Sequence, residues 1–295
     1  MTKYAVFPGL LFLILSCNQS PDKKEQTDKI GKSTGTRFYS KAVADTFSIF
    51  VNLPNNYNPQ QKEKYPVVYL LDANLYFDII ATAITKYSEV GLAPAVILVG
   101  IGYKDFPTMD SLRNRDDTYP NAIPEYEMSV SGGADKFLSF INNDLVPYVD
   151  SKYKTDTSKR TLMGHSLAGY FASYALLQNL LGKSSSLNCY IAASPSLHYN
   201  HYYLLDQLKE AANQKNRDKK LKVYITYGGL EDTENPDDSG MLKLNDITKQ
   251  LSELLSEKQS GSIIYKGDIF SNLGHMDTQI PTFIKGLQWT LSDDK

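Results

Sequence analysis

The feature that most restricts this chain is a pair of short runs that are apolar without alternation. Tyr65 to Leu71 reads YPVVYLL and Ala95 to Ile101 reads AVILVGI. A strand with one wet face alternates apolar and polar residues, so these two are expected to be covered on both faces. Further strands are expected at Thr161 to Met163, Cys189 to Ala193, Leu221 to Tyr227 and Gly261 to Lys266. Segments with helical spacing separate them: Leu75 to Ser88, Ala134 to Tyr153, Leu167 to Leu181, Tyr202 to Lys215, Gly240 to Lys258 and Gln279 to Leu291. Strands alternating with helices imply an α/β fold, a mostly parallel sheet with helices on both faces. Thr36 to Val43 and Thr46 to Leu53 read as two strands joined by a tight turn, an antiparallel hairpin at one edge. Residues 102 to 133 hold Gly, Pro, Asp, Arg and Tyr with no steady period and are expected as a long functional loop. There is no internal repeat and no second-domain boundary, so residues 36 to 295 are expected as one domain.

Composition removes several classes. The formal net charge is −2 and there is no long basic stripe, which argues against nucleic acid as a partner. No Gly-rich phosphate loop of the P-loop or dinucleotide type is present. There are two cysteines, Cys17 and Cys189, and the first lies in a segment that reads as processed. That leaves no disulfide framework, and no Cys/His cluster has the spacing of a structural zinc site.

The first residues read as an address. Lys3 precedes an apolar run from Ala5 to Leu15, too short to span a bilayer, and residues 1 to 17 are expected as a secretory signal peptide. Ile14-Leu15-Ser16-Cys17 resembles a bacterial lipobox, in which Cys17 carries the lipid; plain cleavage without lipid is the alternative. Asn18 after the cysteine suggests the outer membrane. The expected location is thus the bacterial cell envelope, with the membrane reached through the lipid on Cys17. Residues 18 to 35, NQSPDKKEQTDKIGKSTG, are polar and are expected as a flexible tether.

The chemistry centres on Gly164-His165-Ser166-Leu167-Ala168-Gly169, a G-x-S-x-G match. By composition alone that pattern arises in roughly one chain in ten of this length, so context must decide. Here an expected strand ends at Met163 and an expected helix begins at Leu167, as a nucleophile elbow requires. A serine hydroxyl needs a base, and the base an orienting carboxylate, in the chain order Ser, acid, His. Of the four histidines, His165 is adjacent to the serine and badly placed to take its proton. His198 and His201 precede any downstream acid. His275 follows the last expected strand and is the candidate base. Two acids follow the strand ending near Tyr227, Glu231 and Asp232; Glu231 is preferred, and a Ser/His dyad needing neither is a third alternative. The oxyanion donors are expected to be the backbone N–H of Leu167 and that of Ala73 or Asn74, while Asp72 orders its loop.

With these residues in place the chain resembles the esterase family that includes esterase D, feruloyl esterases and ferric-enterobactin esterases, over about Arg37 to Leu291. Leu70-Leu71-Asp72, the Arg113-to-Pro120 stretch RNRDDTYP, the Ser131-to-Phe137 stretch SGGADKF, Gly164 to Gly169, Gly228-Gly229-Leu230-Glu231 and Gly274-His275-Met276 carry the resemblance. It implies the α/β-hydrolase fold and ester or thioester hydrolysis through an acyl-enzyme, with no metal and no cofactor. Two departures bear on substrate: Ala73 stands where the family often has Gly, and Leu197-His198 replace a bulky aromatic after Ser194-Pro195-Ser196. His198 is therefore a pocket candidate, and Arg113 is another from its place in the loop beside the site. The loop with Arg113, Arg115, Tyr119 and Tyr126 is expected to border the site, with Arg115 and Asp116 stapling it. His198 and His201 form an H-x-x-H pair, a weak metal signal on its own.

Two substrate classes compete, carbohydrate-linked feruloyl or acetyl esters and siderophore esters. From another class, an inactive hydrolase scaffold used for ligand binding is the rival, and an activated serine distinguishes the two. The sequence carries no signal for oligomeric state.

Overall fold

A computed structural model describes residues 26–183, 185–212, 220–234, 241–255 and 262–292. The expected signal peptide, the lipidation at Cys17 and the start of the tether lie outside these residues.

The described strands form one sheet in the order β1-β2-β3-β5-β4-β6-β7-β8-β9. β1 (Thr27–Ile30), β2 (Ser33–Ser40) and β3 (Asp45–Asn52) run antiparallel, and β3 pairs antiparallel with β5 (Ile97–Gly102). From β5 the sheet is parallel through β4 (Tyr65–Leu70), β6 (Thr155–His165), β7 (Cys189–Ala193), β8 (Leu221–Gly228) and β9 (Ile263–Phe270).

The unalternating runs are explained by two cores. In β4, Val67 and Tyr69 enter one apolar cluster and Val68 and Leu70 enter the other, because successive side chains of a strand point to opposite faces. α1 (Ala73–Glu89) and α9 (Gln279–Thr290) cover the second cluster through Phe77, Ile80, Phe283 and Leu287. The other face is covered by α3 (Ala134–Phe140), α4 (Val146–Lys152), α5 (Leu167–Leu180), α6 (Tyr199–Ala212) and α8 (Leu244–Leu255). A one-turn helix, α7 (Glu231–Glu234), follows β8. α5 is buried almost all round, which makes it the central helix of that layer.

Three expectations need correction. Residues 27–35, read as tether, are β1, a turn at 31–32 and the start of β2: they form an edge hairpin, where Asp28 accepts from Ser48 Oγ at 2.7 Å and the backbone ladder supplies the pairing. Residues 102–133 are not one long loop. They contain α2 (Phe106–Asp117), which starts where Asp105 accepts from the Thr108 N–H at 2.9 Å, with Pro107 in the first turn. Only Met109, Asp116 and Asp117 of α2 are buried, so it has no apolar stripe to read. The helix expected from Ala134 to Tyr153 is interrupted by a π turn at Ile141–Leu145, just before Pro147, which has no N–H to give to the helix ladder. Smaller differences are that α6 begins at Tyr199, with left-handed backbone at Asn200, His201 and Tyr202, and β9 runs on to Phe270.

Candidate active site

The functional side chains gather where the parallel strands end. β6 finishes at His165 and α5 begins at Leu167, leaving Ser166 alone in the turn with φ 59° and ψ −120°. A non-glycine residue rarely adopts positive φ, and such strain clusters at functional sites. The turn is so tight that a Cβ on Gly164 would lie 2.5 Å from the Ala168 carbonyl oxygen. The Ser166 N–H donates to Ala193 O at 3.0 Å, tying the elbow to the end of β7.

His275 lies in a short 3₁₀ turn, His275–Asp277, beyond β9. Its approach depends on Gly228 at the end of β8: a Cβ there would sit 2.3 Å from Leu273 O, so only glycine lets the His275 loop lie against the strand end. His275 Nε2 is 3.0 Å from Ser166 Oγ and Nδ1 is 2.9 Å from Glu231 Oε2. The other Glu231 oxygen accepts from Ser194 Oγ and from the Gly228 N–H, both at 2.6 Å. Burial raises the Glu231 carboxyl, but hydrogen bonds from His275, Ser194 and Gly228 outweigh it and hold the group below the ordinary carboxylate range. Asp232 points elsewhere and accepts from the Leu244 N–H at 3.0 Å, at the start of α8. The geometry therefore joins Ser166, His275 and Glu231 and leaves Asp232 as a cap.

Leu167 is the first residue of α5, and Ala73 and Asn74 are the first two of α1. The opening N–H groups of a helix have no intrahelical acceptor, so both helix starts carry donors of the kind an oxyanion hole uses. β4 and β6 are sheet neighbours, which sets these two helix starts side by side. The Asn74 side chain is engaged with both backbone groups of Tyr103, at 2.7 and 3.0 Å. Asp72, with left-handed φ, receives two hydrogen bonds from Arg113 at 3.1 and 2.7 Å. Arg113 is therefore held under the Ala73–Asn74 turn and does not line the pocket, a correction to its reading as a substrate contact. Arg115 bonds Asp116 and Asp45.

A cavity of about 350 Å³ adjoins Ser166 and His275. His198 lines it, with Tyr126, Met128, Leu197, Tyr199, Tyr202, Tyr227 and Met241. The tyrosine hydroxyls are engaged with backbone: Tyr126 donates to His198 O, Tyr199 to Pro120 O and Tyr227 to Pro195 O, while Tyr202 accepts from the Leu242 N–H. The wall thus sets ring, thioether and aliphatic surface beside the polar groups of Ser196, Glu231 and Lys243. Lys243 is the one ammonium or guanidinium among the described lining residues. Among the described residues no group of three or more His, Cys, Asp or Glu side chains is placed to hold a metal, and none of them gives His198 and His201 a third ligand.

Sequence reasoning singled out the Ser194-Pro195-Ser196 stretch but gave neither serine a role: Ser194 fixes Glu231, and Ser196 Oγ is 3.3 Å from Ser166 Oγ. Both follow directly on β7, so position at the end of a parallel strand was the available signal.

This fold and this site define the class: a serine hydrolase of the α/β-hydrolase fold. Residues 40–263 match the family described as "Putative esterase". The ferri-bacillibactin esterase BesA of Bacillus subtilis is 31% identical over 92% of this chain and 97% of its own. The chain belongs to that esterase family and is a serine esterase. An apo-salmochelin esterase of Escherichia coli is 24% identical over 92% of this chain and 86% of its own. Among solved structures, the BES protein of Bacillus cereus superposes with a TM-score of 0.75 at 25% identity, over 91% of this chain and 98% of that one.

Proposed function

We propose that this enzyme hydrolyses siderophore esters through an acyl-enzyme on Ser166, with His275 as base and Glu231 as the orienting acid. The observation that carries the mechanism is the unbroken chain Glu231 Oε2 to His275 Nδ1 and His275 Nε2 to Ser166 Oγ. Glu231 is ionised and only accepts, so His275 Nδ1 holds a proton and Nε2 is free to take one. Ser166 attacks the ester carbonyl as its proton passes to His275 Nε2. The oxyanion is met by the N–H of Leu167 and that of Ala73 or Asn74. Collapse of the adduct expels the alcohol, which takes the proton from His275. Water, deprotonated by His275, then attacks the acyl-enzyme and frees the acid and Ser166.

The substrate reading rests on two supports. Relatives that span most of this chain are named for ferri-bacillibactin and apo-salmochelin, and the cavity wall of tyrosine and methionine suits an aromatic acyl group. The test is turnover of enterobactin, methyl ferulate, an acetylated xylo-oligosaccharide and p-nitrophenyl acetate by the parent and by Ser166→Ala. Serine-dependent turnover concentrated on the siderophore supports the reading. Turnover concentrated on ferulate or xylan esters overturns the substrate, and undiminished activity in Ser166→Ala overturns the nucleophile. We also propose envelope anchoring through a lipid on Cys17; a Cys17→Ser chain that stays in the membrane fraction would refute it.

A further inference from the structure

We propose that His165 is a positioning residue that holds the His275 loop in register with Ser166. It rests on the reading that Ser166 and His275 hydrolyse esters. His165 is the last residue of β6 and is 2% exposed. Its Nε2 is 2.8 Å from the carbonyl oxygen of His275, and its Nδ1 is 3.2 Å from the hydroxyl of Tyr76 on α1. A carbonyl only accepts, so Nε2 carries the proton and Nδ1 accepts from Tyr76. One imidazole therefore ties the elbow to two other parts of the site. Tyr76 lies one turn beyond Ala73, where α1 offers its oxyanion N–H, and His275 carries the base on the same residue whose carbonyl is gripped.

The ionisable groups that act on His165 are His275, Asp72 and Arg113, the last two paired with each other. Its ring centroid is 4.8 Å from that of His275. A charged imidazole there would oppose the imidazolium His275 becomes during the reaction, and would change which partners each nitrogen serves. Burial keeps it neutral, pushing its ionisation down to about 4. His165 thus fixes the base without competing with it for charge. Adjacency to Ser166 prevents it from being the proton acceptor; the same adjacency lets it tie the elbow to the His275 loop.

The test uses p-nitrophenyl acetate and the whole chain, with active sites counted by a fluorophosphonate. His165→Phe fills the space without either hydrogen bond; His165→Gln returns a donor at the reach of Nε2. The expected result is a fall in kcat of about 10- to 100-fold for Phe, with KM within about threefold, and recovery of most of the loss by Gln. A role confined to folding would lower thermal stability but leave kcat per titrated site unchanged. Phe within about threefold of the parent kcat, or Gln no better than Phe, overturns the assignment. Should Phe not fold, His165→Asn, which cannot reach the His275 carbonyl from its shorter side chain, takes its place, and a kcat per titrated site within about threefold of the parent is equally fatal. A parent that the probe does not label would sink the nucleophile and this assignment together; a labelled parent with unaffected variants sinks this one alone.

Discussion

Replacing Glu231 by Gln should be far more harmful than the loss of one charge suggests. An amide can lie in two orientations, and the structure allows only one. The oxygen now facing Gly228 accepts its N–H at 2.6 Å, and a backbone N–H cannot become an acceptor. The amide oxygen must therefore stay there, which turns the NH₂ toward His275 Nδ1. That nitrogen must then accept, so the imidazole proton moves to Nε2, the atom that has to receive the Ser166 proton. Ser194 offers no escape, because its hydroxyl can donate or accept but Gly228 cannot. The wrong tautomer in a Ser-His-acid arrangement costs on the order of 10³- to 10⁴-fold in kcat, about 4 to 5 kcal/mol of transition-state stabilisation. Asp232→Asn keeps an acceptor for the Leu244 N–H and should stay within about threefold of the parent. The assay is kcat on p-nitrophenyl acetate per titrated serine, with circular dichroism to establish folding. Glu231→Gln within tenfold of the parent, or Asp232→Asn as damaged as Glu231→Gln, would refute the assignment and favour a dyad or the neighbouring acid.

Three further outcomes follow from the same geometry. Among the described residues the cavity wall sets one ammonium, Lys243, against Glu231 and Asp232, and a ferric catecholate complex is strongly anionic; the iron-free trilactone should be preferred by at least about tenfold in kcat/KM, or about 1.4 kcal/mol, and preference for the ferric form would contradict this. Gly228→Ala drives a Cβ into Leu273 O and should displace the His275 loop, with a loss of about 100-fold in kcat; an active alanine variant would show that the loop tolerates the shift. His165 ionises near 4 when folded against 6.5 for the free group, so its stabilising contribution is complete above pH 6.5 and is lost as pH falls toward 4. Over that window the parent should lose about 3 kcal/mol of unfolding free energy that His165→Gln retains, and equal pH slopes in denaturant melts would remove the claim.

What could be read from the chain depended on burial. β4, β5 and β7 are covered on both faces, so their composition alone announces them. β6 begins with the polar stretch Thr155 to Lys159, and only its apolar end was legible. α2 was invisible because most of what it buries is polar: beside Met109, Asp116 is satisfied by Arg115 and by the Tyr103 hydroxyl, and Asp117 is buried next to them, its carboxyl pushed well above the ordinary range by burial. A buried polar cluster has the composition of a surface loop, and periodicity cannot separate the two.

The site was legible for a different reason, chain order. In a parallel sheet every strand ends at the same edge, so the residues that follow β6, β8 and β9 must meet there whatever lies between them. That rule delivers Ser166, His275 and the pair Glu231–Asp232, and it stops at the pair, because neighbouring residues at the start of a one-turn helix send their side chains to different places. The choice is made by Gly228, whose N–H draws Glu231 inward, and by Leu244, whose N–H holds Asp232 outside. His165 shows the same limit from the other side. Adjacency to Ser166 sets it aside as the base, and the fold agrees by joining it to Tyr76 on α1 while Ser166 Oγ meets His275 Nε2. Chain order is silent on what an excluded histidine can still do, because that depends on which carbonyl and which hydroxyl the fold sets beside its two nitrogens.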